Sequence, residues 1–170
     1  MKIAIGCDHG GVPVKEAVRQ ELESAGLDVL DFSPPGESDY PDVAQQVAEA
    51  VAAGDATRGV LVCGTGIGMS ITANKVDGVR AALCADPYSA RMSREHNDAN
   101  VLCMGGRTIG VGAATEILRA WLRAEPSAEE RHVRRRAKVA KLEELASNER
   151  LSEGAGRGDR DPRPADSQNR

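Results

Sequence analysis

Aromatic side chains are scarce in this chain: Phe32, Tyr40, Tyr88 and Trp121 are the whole set among 170 residues. So few rings leave no platform on which the bases of a single strand could stack. Positive charge is not in surplus either, with 22 Lys and Arg against 26 Asp and Glu and a formal net charge of -4. That balance disfavours a general nucleic-acid surface, so Arg134-Arg135-Arg136 reads as a local anion site or a solvated helix face. Long apolar runs are absent, none approaching the roughly 20 residues that span a bilayer. The opening segment Met1-Lys2-Ile3-Ala4-Ile5-Gly6-Cys7-Asp8 meets an acidic residue and a glycine pair too early for a secretory signal. A soluble, cytoplasmic protein is expected, with neither a membrane nor a nucleic acid as partner.

Cysteine is confined to Cys7, Cys63, Cys84 and Cys103, far apart and each in or at the end of a short apolar segment. Such placement suits reduced thiols in a core better than a disulfide framework. No CxxC, HExxH or similarly close ligand set occurs, so no metal site is expected.

What the sequence does contain is a regular alternation of short apolar strands and amphipathic helices. Strands are predicted at Lys2 to Gly6, Asp28 to Phe32, Gly59 to Cys63, Val79 to Cys84 and Asn100 to Met104. Helices are predicted at Val12 to Ala25, Pro41 to Ala53, Gly68 to Lys75, Pro87 to Glu95 capped by Asp86, and Val111 to Leu122. The near-continuous apolarity of Gly59 to Cys63 marks a strand buried on both faces of a parallel sheet. The pattern predicts an α/β fold of three layers, a Rossmann-like open parallel sheet of five strands, with an additional C-terminal helix from about Ser127 to Ala146. On that last helix Val133, Ala137, Ala140 and Glu144 recur at helical spacing, and Val139, Leu142 and Leu145 broaden an apolar side that could pack on a neighbouring subunit. One domain is expected over residues 1–146, followed by a flexible tail over 147–170 with few apolar anchors.

In such a sheet, ligands bind at the carboxyl ends of the strands. Asp8-His9, Cys63 to Gly68, Asp86 and Gly105-Gly106-Arg107 all fall there. Cys63 closes an apolar strand and begins the run Cys63-Gly64-Thr65-Gly66-Ile67-Gly68. A buried cysteine at a strand end is an ordinary core residue, yet the neighbouring N–H dipoles and helix terminus are also what favour a thiolate. The glycines could merely allow a tight turn, or could form a cradle for a developing oxyanion. As a dinucleotide fingerprint the loop is poor, because it follows the third strand rather than the first, and it lacks the GK[ST] ending of a P-loop.

Other candidates have similarly paired readings. Asp8 could hold sugar hydroxyls and His9 a hydroxyl or phosphate, or both could be turn residues. Thr65 could orient the thiol or a substrate hydroxyl, or cap the turn. His96, in Ser93-Arg94-Glu95-His96-Asn97-Asp98, can exchange a proton near neutral pH, and Asn97 can anchor a hydroxyl. Asn74 either reaches back to the glycine loop or finishes its helix. Arg131 and Arg135 share a helix face and match a phosphate dianion, with Arg107 a third donor. His132, Arg134 and Arg136 fall at other angles and are weaker candidates.

Taken in order, the motifs Gly6-Cys7-Asp8-His9, Asp39-Tyr40-Pro41, Cys63 to Gly68, Ala73-Asn74-Lys75, Gly78-Val79-Arg80-Ala81 and Ser93 to Leu102 make the chain, from about Met1 to Leu145, resemble the ribose-5-phosphate isomerase B family. That family also holds galactose-6-phosphate and allose-6-phosphate isomerases. The resemblance implies a cofactor-free aldose–ketose isomerase that works as a homodimer or tetramer with its site between two subunits. It implies Cys63 as general base and Thr65 and His96 as ring-opening residues. Substrate contacts are implied at Asp8, His9, Gly64, Gly66, Ile67, Gly68, Asn97, Arg107, Arg131 and Arg135, the arginines coming from the partner. A second branch is taken to carry a glutamate base where this chain has Asn74. The implied reaction interconverts D-ribose 5-phosphate and D-ribulose 5-phosphate. A six-carbon sugar phosphate such as allose 6-phosphate, or a non-catalytic phospho-ligand module, is the alternative.

Overall fold

A computed structural model of the protein describes residues 1–34, 36 and 38–155. In chain order the elements are β1 (Lys2–Cys7), α1 (Val12–Ser24), β2 (Asp28–Asp31), α2 (Tyr40–Ala52), β3 (Arg58–Cys63) and α3 (Ile67–Ala73). They continue with β4 (Ala81–Leu83), α4 (Pro87–Asn97), β5 (Val101–Gly105), α5 (Val111–Arg123) and α6 (Glu130–Ala155). The five strands are all parallel, in the order β2-β1-β3-β5-β4. The predicted α/β architecture is therefore the observed one.

Alternation along the strands divides the interior in two. Ile3, Ile5, Val60, Val62, Leu102 and Met104 face a layer built from α1, α4 and α5. Ala4, Leu61, Cys63, Val101 and Cys103 face the other layer, α2 and α3. Every residue of β3 is buried, as expected for a central strand covered on both sides. In α5, Ile117, Leu118 and Trp121 are wholly buried, and each such side chain contributes about 1.5–3 kcal/mol relative to exposure. Arg58 opens β3 under this layer, its guanidinium 5.4 Å from the Trp121 ring centre and bonded to the Leu122 carbonyl.

Element ends differ from the predicted ones for local reasons. Asn74 Nδ2 donates to the Ser70 and Ala81 carbonyls while its Oδ1 accepts from Ala81 N–H, which stops α3 at Ala73 and pins it to the start of β4. Ser127 is spent joining the α5–α6 connection to α4, through its N–H to the Glu95 carbonyl. Helix α6 accordingly begins at Glu130 rather than Ser127, and it runs past Ala146 to Ala155. Residues 156–170, the rest of the expected tail, lie outside the described residues.

The crossover from β1 leads outward to β2, whereas that from β3 leads the other way, over β5 to β4. Their carboxyl ends therefore flank a topological switch point, where open α/β sheets form a crevice.

Candidate active site

At the switch point the β1 and β3 loops close on one another. The Asp8 N–H donates to the Val62 carbonyl, and Asp8 Oδ1 accepts from Gly10 N–H at 2.8 Å, folding the loop back on itself. Gly10 then lies so close to Gly64 that a Cβ would sit 3.0 Å from the Gly64 nitrogen. From the other side, Gly106 and Arg107 donate their N–H groups to the Cys63 and Gly64 carbonyls at 2.7 and 2.9 Å. The glycine loop is thus held by β1 and β5 together.

Cys63 is 5% exposed, and its sulfur accepts the Gly66 N–H at 3.1 Å. That contact strengthens when the sulfur carries charge. Burial pushes the Cys7, Cys84 and Cys103 thiols up from their ordinary values, which holds them protonated. Gly66 has φ +77°, and a Cβ there would also meet Leu83 at 2.5 Å and the Met104 carbonyl carbon at 2.8 Å. A side chain at this position would displace the very N–H that faces the sulfur. Thr65, exposed, accepts the Ile67 N–H through its hydroxyl at 3.3 Å, and nothing among the described residues accepts from its own N–H.

Two polar side chains complete this edge. Arg107 lies over the loop, its Nε 3.6 Å from where a Gly64 Cβ would stand, and it has no ion pair among the described residues. His9 is exposed and faces a depression shared with Ser38, Asp39, Asp42 and Gln46. Tyr40, which sequence reasoning did not assign a role, packs its ring on Gly68, where a Cβ would come within 2.6 Å. The signal available was the missing side chain at position 68 opposite the first residue of α2.

His96, Asn97, Arg131 and Arg135 do not join this group. Helix α4 starts at the carboxyl edge, where Asp86 caps it through the Ser89 N–H at 2.7 Å, and runs back to the opposite edge of the sheet. Its 11 residues cover about 16 Å at 1.5 Å each. At that amino edge Asp98 pairs with Arg80, which precedes β4, and Asn97 and Arg135 line a depression of about 290 Å³ with Arg80 and Arg136. Arg131 is exposed and paired with Glu129 at 2.7 Å. Arg135 is exposed and has no ion pair among the described residues.

Two readings from sequence change here. Asn74 sits at the amino edge, bonded to Ser70 and Ala81, and finishes its helix rather than reaching back to the glycine loop. His132, set aside as a weaker candidate, is 3% exposed and stacks on His96 with ring centres 4.1 Å apart and planes 8° from parallel. Helical periodicity gave no hint of it, because the side of α6 that faces the body carries His132, Arg136, Glu143 and Ser147 rather than the apolar stripe.

Among the described residues no three His, Cys, Asp or Glu side chains are grouped to hold a metal ion, and no helix is long and apolar enough to cross a membrane.

Comparison with known proteins assigns the chain to a family. The family model described as Ribose/Galactose Isomerase matches residues 3–139. The chain is 48% identical over 126 residues to ribose-5-phosphate isomerase B of Escherichia coli, covering 73% of this chain and 85% of that protein. It is 49% identical over 128 residues to a D-erythrulose-4-phosphate isomerase of Pectobacterium atrosepticum, covering 74% and 84%. Among solved structures, Clostridium thermocellum ribose-5-phosphate isomerase B superposes with a TM-score of 0.83 at 48% identity, over 86% of this chain and 99% of that one. The chain belongs to the ribose/galactose isomerase family of sugar-phosphate isomerases.

Proposed function

We propose that the protein interconverts D-ribose 5-phosphate and D-ribulose 5-phosphate through an enediolate, with Cys63 as the base. The observation that carries this reading is the Cys63 sulfur, buried at the switch point, facing the Gly66 N–H and flanked by Arg107, which has no ion pair among the described residues. Once the furanose is open, the thiolate removes the proton from C2 and returns it to C1, while a proton passes from O2 to O1. The Thr65 N–H and the turn it begins act most strongly on the negative oxygen of the intermediate. The hydrogen is relocated within one molecule, so the reaction consumes no redox carrier.

The site is completed by a second copy of the chain. His96, Asn97, Arg131 and Arg135 stand a helix length from Cys63 within one chain, yet they are the groups able to open a sugar ring and clamp a phosphate. Two copies related by a two-fold axis would bring the amino-edge group of each to the carboxyl-edge group of the other. The exposed Val139, Leu142 and Leu145 beside the arginines on α6 supply the apolar surface for that association.

Chain length of the substrate is the point on which the relatives divide, since one is named for a five-carbon and another for a four-carbon phosphate at nearly equal identity. Assays in deuterated water with four-, five- and six-carbon phosphates measure turnover and label entry together. Ribose 5-phosphate is expected to be fastest, with solvent deuterium appearing at the exchanged carbon. C63A is expected to lose about a thousandfold in kcat while still binding the substrate. Near-normal turnover by C63A would remove the base, faster conversion of allose 6-phosphate would move the reading to six-carbon sugars, and binding without label entry would reduce the protein to a phospho-ligand module.

A further inference from the structure

Where α6 meets α4, two imidazoles lie flat on each other. His96, half-buried in the last turn of α4, and His132, 3% exposed near the start of α6, have ring centres 4.1 Å apart and planes 8° from parallel. Within the described residues His132 Nδ1 is buried without a hydrogen-bond partner, and Nε2 is 4.0 Å from the nearer Glu129 oxygen. A side chain so enclosed and so weakly bonded is not held by polar contacts; its place is defined by the ring it covers.

We propose that His132 is the positioning residue for His96, a flat plate that fixes the plane in which His96 presents its nitrogens to the sugar. The inference rests on the reading of His96 as the ring-opening group. In that step the proton on O1 leaves, the C1–O4 bond breaks with its electron pair going to O4, O4 takes a proton, and C1=O1 forms. A single imidazole serving both oxygens must have its plane set in advance, because small misplacements reduce proton transfer steeply. Burial pushes the His132 imidazole below its ordinary value, as do the charges of His96 and Arg131, with Arg135 adding to the effect and Glu129 opposing it. These influences favour the uncharged form of the plate.

The test separates ring opening from the chemistry after it. D-ribose 5-phosphate must open, whereas D-erythrose 4-phosphate, phosphorylated on the only oxygen that could close a furanose, is already open. His132→Ala should lower kcat on ribose 5-phosphate roughly tenfold and change turnover of the four-carbon substrate less than about twofold. His132→Phe, which keeps a flat ring, should restore most of the loss. If the four-carbon sugar is not turned over, solvent exchange of the C1 hydrogen of ribulose 5-phosphate, also an open chain, supplies the same comparison. If H132A does not fold, His132→Leu fills the volume without a ring and takes its place. Equal loss on both substrates, no loss on either, or failure of Phe to restore activity would overturn the inference. His96→Ala is the separating control: if it too fails to discriminate between the substrates, the fault lies in the assignment of His96, and if it discriminates while H132A does not, the fault lies in the role given to His132.

Discussion

The carboxyl edge and the amino edge of the sheet are built on different terms. At the carboxyl edge the Cys63 loop is closed by backbone bonds from the β1 and β5 loops, and its glycines touch neighbours so closely that side chains would collide. At the amino edge the polar groups sit on α4 and α6, helices whose outward surfaces are unfinished. The contrast between α5 and α6 makes the point: Ile117, Leu118 and Trp121 of α5 are fully buried, whereas Val139, Leu142 and Leu145 of α6 are 52%, 67% and 51% exposed. One edge is closed by contacts within the chain; the other leaves apolar and charged side chains exposed, which the proposed function assigns to a second copy.

That difference can be attacked from both sides. The largest effect is expected for Leu118→Ala, which hollows a layer the chain completes by itself: about 2–5 kcal/mol of unfolding free energy, measured by urea titration, with the association constant little changed. Next is Arg135→Ala. Losing one charge-assisted contact to phosphate should raise KM for ribose 5-phosphate about tenfold, or ~1.4 kcal/mol, with kcat nearly constant; unchanged kinetics would remove the amino edge from the site. Smallest in stability is Leu142→Ser, expected to shift unfolding of the isolated chain by no more than about 0.5 kcal/mol. It should nevertheless raise the dissociation constant of the pair, as sedimentation over a range of concentrations would record. A loss of folding stability comparable with that of L118A would mean that α6 is part of the core after all.

The architecture was legible because strands buried on both faces and helices with one apolar side leave different periodicities, and because Gly and Pro mark where each ends. The place of the Cys63 loop at the carboxyl end of β3 was legible for the same reason, whereas its sequence left a core cysteine and a tight turn as open as a thiolate beside an oxyanion cradle. The resemblance implied a site between two subunits with arginines from the partner, and the element order adds that His96 and Asn97 lie at the edge opposite Cys63, since a helix that follows a strand ends there and they close α4. His132 left no trace, as stacking depends on two helices meeting at a particular rotation. The apolar stripe of α6 was visible, but periodicity cannot say whether the covering surface belongs to the same chain.

Subunit complementation tests the shared site most directly. C63A and H96A proteins, each nearly inactive, are mixed in equal amounts and allowed to exchange subunits. A two-fold dimer with reciprocal sites predicts recovery to about one quarter of the parent activity, because half of the dimers are mixed and each mixed dimer holds one intact site. Activity that stays at the level of the separate variants, with subunit exchange demonstrated by mass, would show that Cys63 and His96 act within one chain and would contradict the account.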